Sequence, residues 1–169
     1  MRLFEAYKLF KEDLAKKGLK CDHKLVMAGK NGWLASEYKQ IAKDLGIAKD
    51  IIFTGYIIGD ELVPLFKNAD FFIMPSLYEG FGTTVLEAFA TGTPAIVSNV
   101  SSIPEIAGDA AELVDPLNVR NIADAMLKLC NNEELKKAYR EKGLKQVEKF
   151  NWEKTARETM EVYKSFAKK

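Results

Sequence analysis

At 169 residues and 47% apolar, the chain has the length of one domain and enough apolar side chain to bury a core. Its 25 basic and 24 acidic residues leave a net charge of +1, which argues against the basic footprint of a nucleic-acid-binding domain. No apolar run approaches the roughly 18 residues of a membrane span, and charges break the opening MRLFEAYKLFKEDLAKKG where a signal peptide would have its apolar core.

Residues 2–17 read as a helix, because Leu3, Ala6, Tyr7, Phe10 and Leu14 recur every three to four positions. Cys21 follows. Together with Cys130 it fits no metal or redox spacing, and the two read as reduced thiols of a cytosolic protein. Short apolar runs closed by Gly, Pro, Ser or Asp then alternate with helical patterns. The strands are KLVMAG (24–29), DIIFTG (50–55), DFFIMPS (70–76), PAIVSN (94–99) and AELVD (111–115); the helices are 34–45, 60–68 and 83–91. This alternation specifies an α/β fold, a Rossmann-like parallel sheet with helices on both faces. The last third is helical throughout, with Asn118, Asn131 and Asn151 as N-caps and Ala156, Met160 and Tyr163 on one apolar stripe of the final helix.

The stretch PSLYEGFGTTVLEAFATGTPAIVS (75–98) carries the chemistry. In an open parallel sheet the ligand crevice lies beyond the carboxyl ends of the strands, where loop 76–82 falls. Gly80 and Gly82 let a backbone approach a ligand closely. The helix start offers free N–H groups and a partial positive charge, with Thr83 and Thr84 adding hydroxyls. Glu79 on the loop can accept from sugar hydroxyls, and Glu87 inside the helix from a ribose diol. These residue types suit a sugar–diphosphate–nucleoside. A plainer reading stands beside this one: Thr84-Val85-Leu86-Glu87 has capping-box spacing, and the glycines can serve the turn alone.

The longer run PSLYEGFGTTVLEAFATGTPAIVSNVSSIPEIAGDAAELVDP closely resembles the donor-binding half of the retaining glycosyltransferases of GT-B fold known as family 4, or glycosyl transferases group 1, whose Glu-x7-Glu motif matches Glu79 to Glu87. The match extends upstream through LFEAYKLF, LVMAGKNGW and IIFTGYI and downstream to NWEKTA. The resemblance implies that Glu79 contacts the donor sugar as the catalytic carboxylate. It implies that Gly80, Phe81 and Gly82 present N–H groups to sugar and diphosphate, that Thr83 and Thr84 sit against the phosphates, and that Glu87 binds the ribose. Tyr56 and Ile57 correspond to a loop that meets the base, and Gly29 and Lys30 to a loop on the same crevice, although Lys30 reads equally as a solvated lysine. The implied reaction moves a hexose from a donor of GDP-mannose or UDP-glucose type to a glycan or lipid-linked glycan acceptor, in surface polysaccharide or glycolipid synthesis, with no cofactor and no metal. A nucleotide-sugar-binding module without activity of its own is the alternative. A fold-related epimerase would need a histidine near the sugar, which His23 does not supply. A dinucleotide-binding protein would need a G-x-G-x-x-G that AGKNGW lacks.

The family pattern has an earlier strand with a Gly-Arg and a Lys, and only Met1 and Arg2 precede the helix that begins near Leu3. The expectation is therefore a domain spanning 1–169 that is incomplete at its start and separated from the acceptor-binding half. KLVMA and FFIMP should then flank a gap in mid-sheet, which the strands close, another chain fills, or a longer molecule occupies. The first strand of such a sheet is central, so a dimer through the incomplete sheet follows from the same reasoning. Among single residues, His23 reads as an exposed strand-start residue, Trp33 and Trp152 as packing anchors, and Glu105 as the cap of a short helix. Lys136, Lys137, Lys142, Lys145 and Lys149 read as a solvated helix face, with peripheral membrane contact as the alternative.

Overall fold

The computed structural model describes residues 1–20, 22–30 and 35–167. Cys21, Trp33 and the first residue of the 34–45 helix lie outside the described residues. In chain order the elements are α1 (Arg2–Lys16), β1 (Leu25–Ala28), α2 (Ala35–Asp44), β2 (Ile51–Gly55), α3 (Leu62–Lys67), β3 (Phe72–Met74), α4 (Thr83–Ala90), β4 (Ala95–Ser98), α5 (Ile103–Ala107), β5 (Glu112–Val114), α6 (Val119–Cys130), α7 (Glu133–Val147) and α8 (Trp152–Ala167). Single 3-10 turns at Ala48–Asp50 and Gly59–Glu61 lead into β2 and α3. Every strand expected from the sequence is present, shortened at its ends.

All strand pairs are parallel, and they fall into two groups. β1 pairs with β2, from Leu25 opposite Ile51 onward, and β4 lies between β3 and β5. Helices cover both faces of the larger sheet, and β4 shows why. Its side chains alternate, so Ile96 faces a core built with Phe4, Tyr7, Phe10 and Leu14 of α1 and Ile122, Met126 and Leu129 of α6. Ala95 and Val97 face the opposite core, with Val85 and Phe89 of α4 and Ile103, Ile106 and Ala107 of α5. Each large apolar side chain taken fully from water contributes about 1.5–3 kcal/mol, so the α1 stripe alone accounts for a sizeable part of what holds the helix to the sheet. On the second face, α7 approaches α4 closely. A Cβ on Gly143 would stand 2.9 Å from Phe89 Cδ1, which explains a glycine in a helix interior.

The two strand groups do not close on each other. β1 and β3 are not hydrogen-bonded to one another, and between them runs a cleft of about 970 Å³ bounded by Tyr7, Val26, Met27, Leu65, Phe72 and Ile73 among others. Of the three outcomes expected for the gap, closure by the strands themselves does not occur, and side chains of α1 and α3 line the cleft together with those of β1 and β3.

Several finer expectations are also corrected. The N-cap of α7 is Asn132, which accepts from the Leu135 N–H, rather than Asn131, whose amide instead donates to the Leu127 carbonyl at the end of α6. Asn118 and Asn151 cap as expected, accepting from Asn121 and Lys154 N–H groups. Trp152 is 86% exposed and anchors nothing, on a helix α8 with no buried residue. Lys136 is buried and paired with Glu133 and with Asp70 at 3.7 Å, so that side of α7 is an interior face. His23 is half-buried against the Phe10 ring, with Asp70 at 3.5 Å. Glu105 forms no cap on α5, whose N-cap is Ser102. Among the described residues no helix is long and apolar enough to cross a membrane.

Candidate functional site

β3 ends at Met74, and the chain turns at Pro75 into the loop that leads to α4. The helix starts at Gly82, whose φ of +112° suits glycine and ends the loop in a left-handed turn. No side chain caps α4. The capping-box reading of Thr84 and Glu87 is therefore set aside: with Gly82 as N-cap, Thr84 lies inside the helix and Glu87 past its first turn. Among the described residues the N–H groups of Thr83 and Thr84 meet no protein acceptor, leaving the donors and the positive end of α4 open.

The side chains on this helix start are presented outward. Thr83, Thr84 and Glu87 are all exposed, and their three- and four-residue spacing puts them on one stripe of α4. Val85, Ala88 and Phe89 on the other side are fully buried. Burial of that apolar side fixes which way the polar stripe points.

Glu79 is half-buried, and its Oε1 accepts a hydrogen bond from Ser76 Oγ at 2.8 Å. Its backbone is tied to the loop after β4. The Glu79 N–H donates to Ser101 Oγ at 3.2 Å, and that hydroxyl donates back to the Glu79 carbonyl at 2.7 Å. Ser102 Oγ lies 3.0 Å from the Glu79 carbonyl and 2.8 Å from that of Phe81. Gly80 is exposed, and the Phe81 ring, 49% exposed, makes an edge contact with Phe150.

The other candidates stand at the carboxyl ends of β1 and β2. The Gly29 N–H donates to the Gly55 carbonyl at 3.0 Å, which binds the loop carrying Gly29 and Lys30 to the one carrying Tyr56 and Ile57. Tyr56 is 68% exposed and Lys30 is exposed. Ile57 and Thr84 line the cleft between the strand groups, so the base-loop candidate and the helix start border one cavity. Glu79, Glu87, Gly29, Lys30, Tyr56 and Phe81 stand outside that lining. The arrangement thus comprises two carboxylates, a stretch of open N–H groups and two hydroxyls on one loop–helix unit, facing solvent at a sheet edge. Among the described residues no group of three or more His, Cys, Asp or Glu side chains gathers where it could hold a metal ion.

Sequence reasoning passed over Ser76, Ser101 and Ser102. Ser76 could have been found from its closeness to Glu79, a short side-chain bond within one loop. Ser101 and Ser102 carry no such signal, because their partners lie more than twenty residues away in the chain.

Comparison with known proteins agrees with this fold. The model of the family described as "Glycosyl transferases group 1" matches residues 1–146. The O-antigen chain mannosyltransferase B of Escherichia coli is 34% identical over 140 residues, which is 83% of this chain and 37% of that protein. A glycosyltransferase from Rickettsia africae superposes with a TM-score of 0.83 at 22% identity over 99% of this chain and 44% of that one. The Anabaena protein HepE, solved in complex with UDP and glucose, superposes with a TM-score of 0.77 at 16% identity over 97% of this chain and 44% of its own. This chain therefore spans about two-fifths of the length of such relatives, with the architecture of a GT-B carboxyl-terminal half. By its sequence and its fold, the chain belongs to the glycosyl transferases group 1 family.

Proposed function

We propose that this chain is the donor-binding part of a hexosyltransferase that moves mannose or glucose from a nucleotide diphosphate sugar to an acceptor hydroxyl with retention of configuration. The observation that carries the reading is the uncapped start of α4, with open Thr83 and Thr84 N–H groups between the Glu79 loop and the exposed Glu87. A diphosphate is the ligand such a helix start suits, because unpaired N–H groups and the helix dipole both favour negative charge.

In this reading the diphosphate rests on the N–H groups of the 80–84 backbone and the Thr83 and Thr84 hydroxyls. Glu87 accepts from the ribose diol, and the loop carrying Tyr56 and Ile57, with Gly29 and Lys30 beside it, borders the base. Glu79 accepts from hydroxyls of the sugar. As the bond between sugar and diphosphate breaks, charge grows on the departing phosphate oxygens, and N–H groups fixed in advance stabilise that charge without reorganising. The name of the E. coli relative, an O-antigen mannosyltransferase, supports a mannose donor and a surface-glycan acceptor. The UDP and glucose of the Anabaena complex support a nucleotide-sugar partner. The acceptor site belongs to the part of such enzymes that this chain does not span, and the reaction calls for no cofactor. The work is that of a cytoplasmic protein, with any membrane contact peripheral.

The second reading is a module that binds the nucleotide sugar and does not turn it over alone. Calorimetric titration of this chain with UDP, GDP, UDP-glucose and GDP-mannose tests donor binding, and the chain by itself should bind without turnover. A transfer assay with mannosyl and glucosyl acceptors, on a protein that joins this chain to an acceptor-binding half, separates the two readings: turnover there supports the enzyme, none the module, and no binding of any nucleotide overturns both.

A further inference from the structure

Two serines in the loop after β4 each set aside the local role their position favours. Ser101 holds φ at +61°, the sole non-glycine with positive φ among the described residues. That region is costly for a residue with a Cβ, and glycine or asparagine usually fills it. Ser102 is the N-cap of α5, where a serine side chain ordinarily accepts from an N–H of the first turn, yet α5 has no side-chain cap bond. Both hydroxyls point instead across space to the Glu79 loop.

The bonds they make form a complete set. Ser101 Oγ accepts from the Glu79 N–H and donates to the Glu79 carbonyl, closing on that residue as a strand neighbour would. Ser102 Oγ shares its proton between the Glu79 and Phe81 carbonyls. Glu79 thus has its N–H, its carbonyl and, through Ser76, its carboxylate all engaged, while Gly80 between the two tied residues meets nothing within 4 Å of a Cβ placed on it. The loop is held at Glu79 and Phe81 and open between them.

We infer that Ser101 and Ser102 are positioning residues that fix Glu79 and the Gly80–Phe81 backbone to receive the sugar of the donor, leaving the nucleotide to Glu87 and the α4 start. The inference rests on the donor-binding reading. The division of labour follows from the bonds: the serine hydroxyls reach Glu79 and Phe81, whereas Thr83, Thr84 and Glu87 belong to a helix held by the apolar packing of Val85 and Phe89, to which neither hydroxyl contributes.

The test compares Ser101→Gly, Ser102→Ala and Ser102→Thr with the unsubstituted chain. For each, affinity is measured for GDP and UDP and for GDP-mannose and UDP-glucose, and the ratio of sugar nucleotide to bare nucleotide is taken as the sugar increment. Ser101→Gly relieves the left-handed strain, so its melting temperature should hold or rise. Its sugar increment should still fall about fivefold or more, the scale of one lost hydrogen bond, with bare nucleotide affinity kept within about twofold. Ser102→Ala should lose the increment in the same way, and Ser102→Thr, which keeps the hydroxyl, should retain it. The Glu79 amide should exchange faster in Ser101→Gly without any ligand. An intact sugar increment in both Ser101→Gly and Ser102→Ala overturns the positioning role alone. An unsubstituted chain that binds the bare nucleotides with no sugar increment likewise overturns the positioning role alone, and one that binds none of the four ligands overturns the donor-binding reading along with it.

Discussion

Gly82 lies so close to Ile103 that a Cβ placed on it would stand 2.8 Å from the Ile103 Cδ1. Ile103 is fully buried at the start of α5, so it cannot swing away. The same glycine holds a φ of +112°. Gly82→Ala meets both penalties, overpacking of about 1–3 kcal/mol and left-handed strain of roughly 1–2 kcal/mol. The expected result is a loss of about 2–5 kcal/mol in chemical denaturation, with any fold that survives carrying a displaced 76–82 loop and weakened nucleotide affinity. A loss below about 1 kcal/mol would show that α5 shifts freely and that the contact is soft.

Glu87 makes no side-chain hydrogen bond among the described residues and is exposed, which separates its two readings sharply. A capping residue would cost the helix when replaced, typically near 1 kcal/mol. Here Glu87→Gln should change stability by no more than about 0.5 kcal/mol, as for other exposed positions free of special features. Nucleotide affinity should fall about tenfold, the loss of a charge-assisted acceptor. A thermal melt beside a calorimetric titration checks both figures at once, and a drop in melting temperature with affinity unchanged would return Glu87 to a purely local role.

The α/β order and the position of loop 76–82 beyond the end of β3 were legible because both rest on local chemistry. The FFIMPS and PAIVSN runs are continuous and apolar because their strands are covered on both sides, as the two cores flanking β4 bear out. The start of α4 was legible for the same reason: the Gly82-Thr83 boundary is a change of backbone chemistry in adjacent residues. What stayed hidden depends on distance in space. The Ser101 and Ser102 hydroxyls find partners across two loops. Lys136 looked like one of a row of solvated lysines until the packing of α7 brought Asp70 beside it. Trp152 failed in the other direction, since a large aromatic reads as core, and only the tertiary structure shows the ring exposed on a helix without buried residues.

Asp50 gives the fold an acid-sensitive tie. It ends the 3-10 turn before β2 and accepts from Lys11 of α1 and from Lys24, at 2.6 Å, just ahead of β1. The Lys11 hydrogen bond, followed by that of Lys24, holds its carboxyl below the usual carboxylate value. A depressed folded-state pKa contributes stability that is complete above the unfolded-state value, about 3.9, and that is lost as pH falls through the lower folded value. Asp50→Asn should therefore lower stability at pH 7 by up to about 1 kcal/mol, discounted for partial exposure, and the gap between variant and parent should narrow once pH drops below about 4. Denaturation curves at pH 7 and at pH 3 check the sign. A gap that widens on acidification would mean the carboxylate is opposed by its surroundings in the folded state.

The facing edges of β1 and β3 lead to a prediction about assembly. Each strand pairs on one side only, β1 with β2 and β3 with β4, so each leaves a row of backbone donors and acceptors toward the cleft of about 970 Å³. Unpaired edges of this kind recruit strands from other chains, and proteins that stay monomeric blunt them with charge. Val26 on β1 and Ile73 on β3 both line the cleft without such charge, and Val26 is 39% exposed. The chain should self-associate with rising concentration, between roughly micromolar and millimolar, and Val26→Lys should suppress that association. Sedimentation velocity over a concentration series of both proteins reads the outcome. A chain that sediments as a monomer throughout, with Val26→Lys indistinguishable from it, would mean that α1 and α3 shield the cleft well enough to keep other chains out.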